Sequence, residues 1–237
     1  GDDSNLGTFF APVRTIQKAV DKVIDMNVVT PSDVENPYKI FLLSDIISDD
    51  SFESNNNALV NINPSSSSAP PLYLTISKCG DGNATINANK TGRVMYIGEK
   101  ADVTLKNLTL KGGYILRENG GGIYSKGICN LNSCTISGNT AKASDGSVKG
   151  GGVYIESGSF TMKGCTISGN TAGSETDNAN AYGGGIFGAS GTIIMNNTTI
   201  SENKVASVND VEGAGVCLHG ANLTMNGGLI SENECYS

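Results

Sequence analysis

The chain has 237 residues, of which 31 are glycine and only 16% are charged, so turns are plentiful and solvated helix faces scarce. Its net charge of −7 excludes the basic stripe that a nucleic-acid partner, or docking on an anionic membrane, would need. No apolar run approaches the roughly 18 residues of a membrane-spanning helix, so no membrane insertion is expected of this segment.

Gly1 ahead of Asp2-Asp3-Ser4-Asn5 reads as the trimmed start of a longer chain, from which a targeting segment is expected to have been removed. Residues 1–37 form an expected cap. Within it, residues 11–26 place Val13, Ile16, Val20, Val23 and Ile24 on one helical face, with Arg14, Lys18, Asp21 and Lys22 mostly opposite. Such a helix would cover the open edge of whatever sheet follows. Residues 38–111 read as irregular early coils. A first strand is expected over residues 38–46, a polar insertion over 49–71 around Pro64, Pro70 and Pro71, and further strands at 72–76 and 84–86.

From residue 112 to 237 the chain repeats itself. Ile136-Ser137-Gly138-Asn139 returns as Ile167-Ser168-Gly169-Asn170, Ile200-Ser201-Glu202-Asn203 and Ile230-Ser231-Glu232-Asn233, with steps of 31, 33 and 30 residues. A glycine pair precedes each: Gly121-Gly122, Gly151-Gly152, Gly184-Gly185 and the weaker Ala214-Gly215. Seven residues before the repeated isoleucine stand Cys129, Phe160, Ile193 and Leu223, and five before it Leu131, Met162, Met195 and Met225. An earlier coil fits the same ruler through Ile97, Val103, Leu105, Leu108 and Leu110, with Gly113 in the asparagine place.

Apolar residues two apart, separated by polar ones, mark short strands with one buried face. A period near 30 holds three such strands and their turns. One coil cannot bury its own apolar face, so coils must stack and each column must touch itself. The expected fold is therefore all-β, a right-handed parallel β-helix (solenoid) with an N-terminal amphipathic capping helix. Ile136, Ile167, Ile200 and Ile230 should line the core, and Asn139, Asn170, Asn203 and Asn233 should form a ladder of mutually bonded amides at a bend. The glycine column would supply either positive φ or close backbone approach. The last coil shows no cap, so either the chain continues or another molecule covers it, end-to-end association being one outcome.

Gly-Gly-x-Ile alternating with hydrophobic-x-x-Asn over residues 112–233 resembles the repeats of polymorphic outer-membrane proteins. Ile stands here where that family has Phe, and no translocator barrel is present. The opening from Phe9 to Ala19 resembles the segment that leads many pectate-lyase-like β-helices. The resemblance implies an exported protein at a bacterial cell surface, outer membrane or extracellular space, acting as an adhesin-like scaffold for a host-surface protein or a polysaccharide.

The alternative is a pectate-lyase-like polysaccharide lyase or hydrolase. Glycoside hydrolysis needs two carboxyl groups flanking the bond, and the repeat strands carry almost none. No catalytic residue is assigned, and His219 has no motif around it. Acidic residues fall instead in three excursions after the asparagine turn, at residues 140–149, 171–182 and 204–212. They should emerge on one side as a recognition edge carrying Asp145, Asp177 and Asp210, either as plain solvated loops or as carboxylates that bind Ca²⁺. No other cofactor and no structural metal is expected. Tyr124, Tyr154 and Phe187 follow the inward residue of their strands and should point outward, either to stack on sugar or a partner, or to stack on one another. Six cysteines lack zinc-type pairs; small buried thiols and a disulfide framework both fit them.

Overall fold

The computed structural model describes residues 15–48, 57–64, 68–174 and 179–237. Strands pair in parallel throughout, stacking coil upon coil into a β-solenoid closed at one end by a single helix. No described helix is long and apolar enough to cross a membrane.

The helix spans Ile16–Val29 and buries Ile16, Val20, Val23 and Asn27. It ends three residues later than the periodicity suggests, and Val13 and Arg14 lie outside the described residues. Thr15 caps it, its hydroxyl accepting from Lys18 N at 3.2 Å. The helix also closes the sheet edge chemically. Gln17 lays its amide against the edge strand, Oε1 accepting from Asn61 N at 2.6 Å and Nε2 donating to Asn61 O at 3.1 Å.

That edge strand, Ala58–Ile62, corrects the expected polar insertion. Val60 and Ile62 face the core while Leu59 lies buried on the other side. A strand covered on both faces need not alternate apolar with polar residues, and the flanking polar tracts hid this one. The first expected strand likewise divides at a bend into Tyr38–Leu42 and Ile46–Ile47.

The largest sheet carries two columns through the whole stack. One runs Ile40, Ile76, Leu105, Leu131, Met162, Met195, Met225. The other runs Ile46, Ile86, Leu110, Ile136, Ile167, Ile200, Ile230. The early coils thus share the register of the regular ones. All members of the second column from Ile86 to Ile200 are buried, whereas Ile230, on the last coil, is 43% exposed. A second sheet stacks Val60, Met95, Ile123, Val153, Ile186 and Val216.

Asparagine supplies the bend between the first sheet and a third. Asn139, Asn170 and Asn203 are buried, each Nδ2 donating to the next Oδ1 at 2.9 Å. Gly113, in the asparagine place, donates its N–H to Asn139 Oδ1 at 2.8 Å. At the glycine pairs the requirement is space: a Cβ on Gly151 would lie 2.4 Å from Thr171 O and 2.6 Å from Gly184 O. The left-handed backbone belongs to the glycine before each pair, such as Gly150 at φ 69°.

The described parts of the three excursions emerge on one side, as expected, and most of their residues form strands. Thr140–Ala143 pairs with Thr171–Ser174, and Gly146–Lys149 pairs with Ala179–Tyr182, which pairs with Val211–Glu212. Between these two added sheets lies a second core of Ile115, Ala141, Ala143, Val148, Ala172, Ala179, Ala181, Val205 and Ala214. Alanine side chains let the sheets approach closely, and the same alanines made the segments look like low-complexity loop. The result is a rigid ridge along the solenoid.

All six cysteines are free, and Cys129, Cys134, Cys165 and Cys217 are buried. Burial holds the Cys129 thiol well above its ordinary value and pushes Cys134 up to about 12. Cys129, Cys134 and Cys165 belong to the main core and are inert thiols.

Candidate functional site

Strand alternation sends the residue after each inward Ile, Val or Met of the second sheet outward. Tyr96, Tyr124, Tyr154 and Phe187 occupy that column, with successive ring centroids 5.3, 4.9 and 5.7 Å apart. Tyr96 is a rung that motif reading passes over, because no glycine pair precedes it. The rings point away from the main core, yet Tyr154 is only 8% exposed and Phe187 1%. Their faces lie against one another, and stacking on sugar requires a free face. The column's own packing is what the geometry favours.

Polar groups flank the rings. The Arg93 guanidinium, buried at the foot of the column, sits 4.9 Å from the Tyr124 centroid and pairs with Glu118. Burial lowers the Arg93 pKa, and Glu118 works against that shift. Tyr124 Oη donates to Glu156, which Lys126 Nζ approaches at 3.2 Å. Burial, aided by Glu99, raises the Glu156 carboxyl above its usual range, while burial and Glu156 raise Tyr96.

At the last coil the column changes chemistry: Cys217 pairs with Phe187 in register. Its Sγ lies 3.8 Å from Glu212 Oε2, which lies 3.4 Å from His219 Nε2. The three ligand atoms fall within 4.8 Å of one another. The His219 ring packs on Phe187 at 4.9 Å and on Tyr182 at 5.5 Å. Lys149 Nζ stands 5.1 Å from the Phe187 centroid. Burial first, then the Glu212 charge, pushes the Cys217 thiol up to about 11. The legible signal was Cys217-x-His219, a thiol and an imidazole close in the chain; no linear motif brings in Glu212.

Of the carboxylates expected along the recognition edge, the two among the described residues, Asp145 and Asp210, lie apart. Asp145 is exposed and lies 3.9 Å from Arg117 Nε. In the ridge register Val148, Ala181 and Val211 align, which sets Asp210 two coils and two residues from Asp145. That separation is on the order of 11 Å, too far for one Ca²⁺ with ligands at about 2.3–2.6 Å. Asp177 lies outside the described residues. A shallow depression on the first sheet is lined by Lys106, Asn132, Ser133, Lys163, Gly164 and Asn197, and it contains no carboxylate.

No protein-family model matches the chain, and no curated protein or solved structure is significantly similar to it.

Proposed function

We propose that this chain is a non-enzymatic, surface-exposed β-helical scaffold, adhesin-like, whose lateral ridge is the binding face for a host-surface protein or a polysaccharide. The observation that carries the proposal is the ridge itself. Segments with the composition of loops are organised into paired strands with their own core, which holds exposed side chains such as Asp145, Ser147 and Asp210 at fixed spacing. Preorganised display lowers the ordering cost of binding. Export to a bacterial surface belongs to the same proposal, on the strength of the repeat resemblance.

The test is retention of the purified chain on host cells and on arrayed polysaccharides, for the wild type and for Asp145→Lys with Asp210→Lys. Saturable binding that the charge reversals weaken supports the proposal. Unsaturated or reducing-end products released from a polysaccharide would overturn it in favour of a lyase or hydrolase.

A further inference from the structure

We infer that Glu212, Cys217 and His219 form a site for one divalent transition cation of the zinc class, with a fourth coordination position open to solvent or to a partner's group. The inference is independent of the binding role of the ridge.

Local sequence builds the site. Cys217 lies on the edge strand of the second sheet, Val216–Leu218, His219 follows directly after it, and Glu212 ends the last ridge strand, Val211–Glu212. Gly213 joins the two. Its φ is 58°, and a Cβ there would lie 2.7 Å from the Cys217 Cβ and 2.3 Å from Val216 O. Only glycine lets the carboxylate strand turn back tightly enough onto the thiol.

The two edges that meet at Glu212 Oε2 match those of a tetrahedral ion, and the third lies within 4.8 Å. Zinc bonds of about 2.0–2.1 Å to nitrogen, 2.0–2.2 Å to oxygen and 2.3 Å to sulfur imply an N···O edge of about 3.4 Å and an S···O edge of about 3.6 Å. The observed edges are 3.4 Å and 3.8 Å. One sulfur, one imidazole nitrogen and one carboxylate suit zinc and related ions, whereas Ca²⁺ and Mg²⁺ favour all-oxygen sets. Phe187 and Tyr182 hold the imidazole in place. The thiol is 6% exposed beside an open rim, since Glu212 and His219 are both about half exposed. Burial and Glu212 raise the thiol, and the Lys149 charge pulls it down. On binding, the thiol proton leaves to solvent and the thiolate takes its place on the ion.

The experiment is titration of the reduced full chain with Zn²⁺ by calorimetry and with Co²⁺ by absorption, Ca²⁺ serving as control. One equivalent of Zn²⁺ is expected, and Co²⁺ should show a thiolate charge-transfer band with the intense visible bands of a four-coordinate ion. Cys217→Ser and His219→Ala should each weaken binding by more than the about 10- to 100-fold that loss of an outer-sphere partner costs, with far-ultraviolet circular dichroism unchanged. Joint Cys79→Ser and Cys235→Ser substitution should leave the spectrum intact. Absence of binding, a band that persists in Cys217→Ser, or a band lost in the Cys79/Cys235 variant would each overturn the assignment.

Discussion

Asn139 and Asn170 meet amide to amide: Asn139 Nδ2 donates to Asn170 Oδ1 at 2.9 Å, and the same oxygen accepts from Asn139 N at 3.1 Å. Asn170 Nδ2 in turn donates to Ile136 O at 3.0 Å and to Asn203 Oδ1 at 2.9 Å. Each asparagine thereby satisfies the backbone of the coil before it, deep in the bend, where water does not reach. The repeat is conserved by chemistry along the stack because any rung that fails strands the polar groups of its neighbour.

Asn170→Leu removes that service while keeping the volume. It orphans the Asn139 N–H, at about 1–3 kcal/mol, and takes from the Ile136 carbonyl its side-chain donor, so a loss of about 2 kcal/mol is expected in urea unfolding. Asn233→Leu, at the more open last coil, should cost less. Equal losses at both positions would show that burial of the rung does not set its worth.

The third residue of each repeat is left-handed: Gly138 at φ 63°, Gly169 at 62°, Glu202 at 57° and Glu232 at 56°. The glutamates carry a strain that glycine avoids, and a Cβ at Gly138 or Gly169 meets nothing within 4 Å. Glu202→Gly should therefore stabilise by about 1 kcal/mol, since the left-handed conformation costs a side-chain-bearing residue roughly 1–2 kcal/mol. Gly151→Ala should do the opposite, because the atoms it meets are backbone; about 3 kcal/mol of destabilisation is expected. Thermal unfolding of the two variants beside wild type reads both signs.

Much of this was legible in the sequence. The isoleucine and asparagine columns, the strand alternation and the side on which the excursions emerge all follow from residues at one period, because stacking makes each column its own neighbour. What escaped was whatever departs from alternation. Ala58–Ile62 is buried on both faces, and the ridge strands are short and rich in Ala, Gly, Ser and Asn, so composition pointed to loop. The Glu212, Cys217 and His219 cluster escaped because the tight turn at Gly213, and not a motif, brings the carboxylate in.

Tyr154 sits between Tyr124, tilted at 50° to it, and Phe187, stacked on it at 16°, and is only 8% exposed. Tyr154→Ala should destabilise by about 3–5 kcal/mol, in the range for a buried aromatic, and leave any glycan binding unchanged under conditions where the variant is folded. Loss of glycan binding in a folded variant would return the column to the recognition surface.

Gln17 replaces a missing strand at the covered end. Gln17→Leu keeps the helix packing but deprives the Asn61 amide of its 2.6 Å acceptor. Faster hydrogen exchange is expected across Ala58–Ile62, with exchange in Ile123–Ser125 and later strands unaltered. Uniform acceleration throughout would mean that the solenoid opens as one unit, contrary to the local openings that stacked repeats allow.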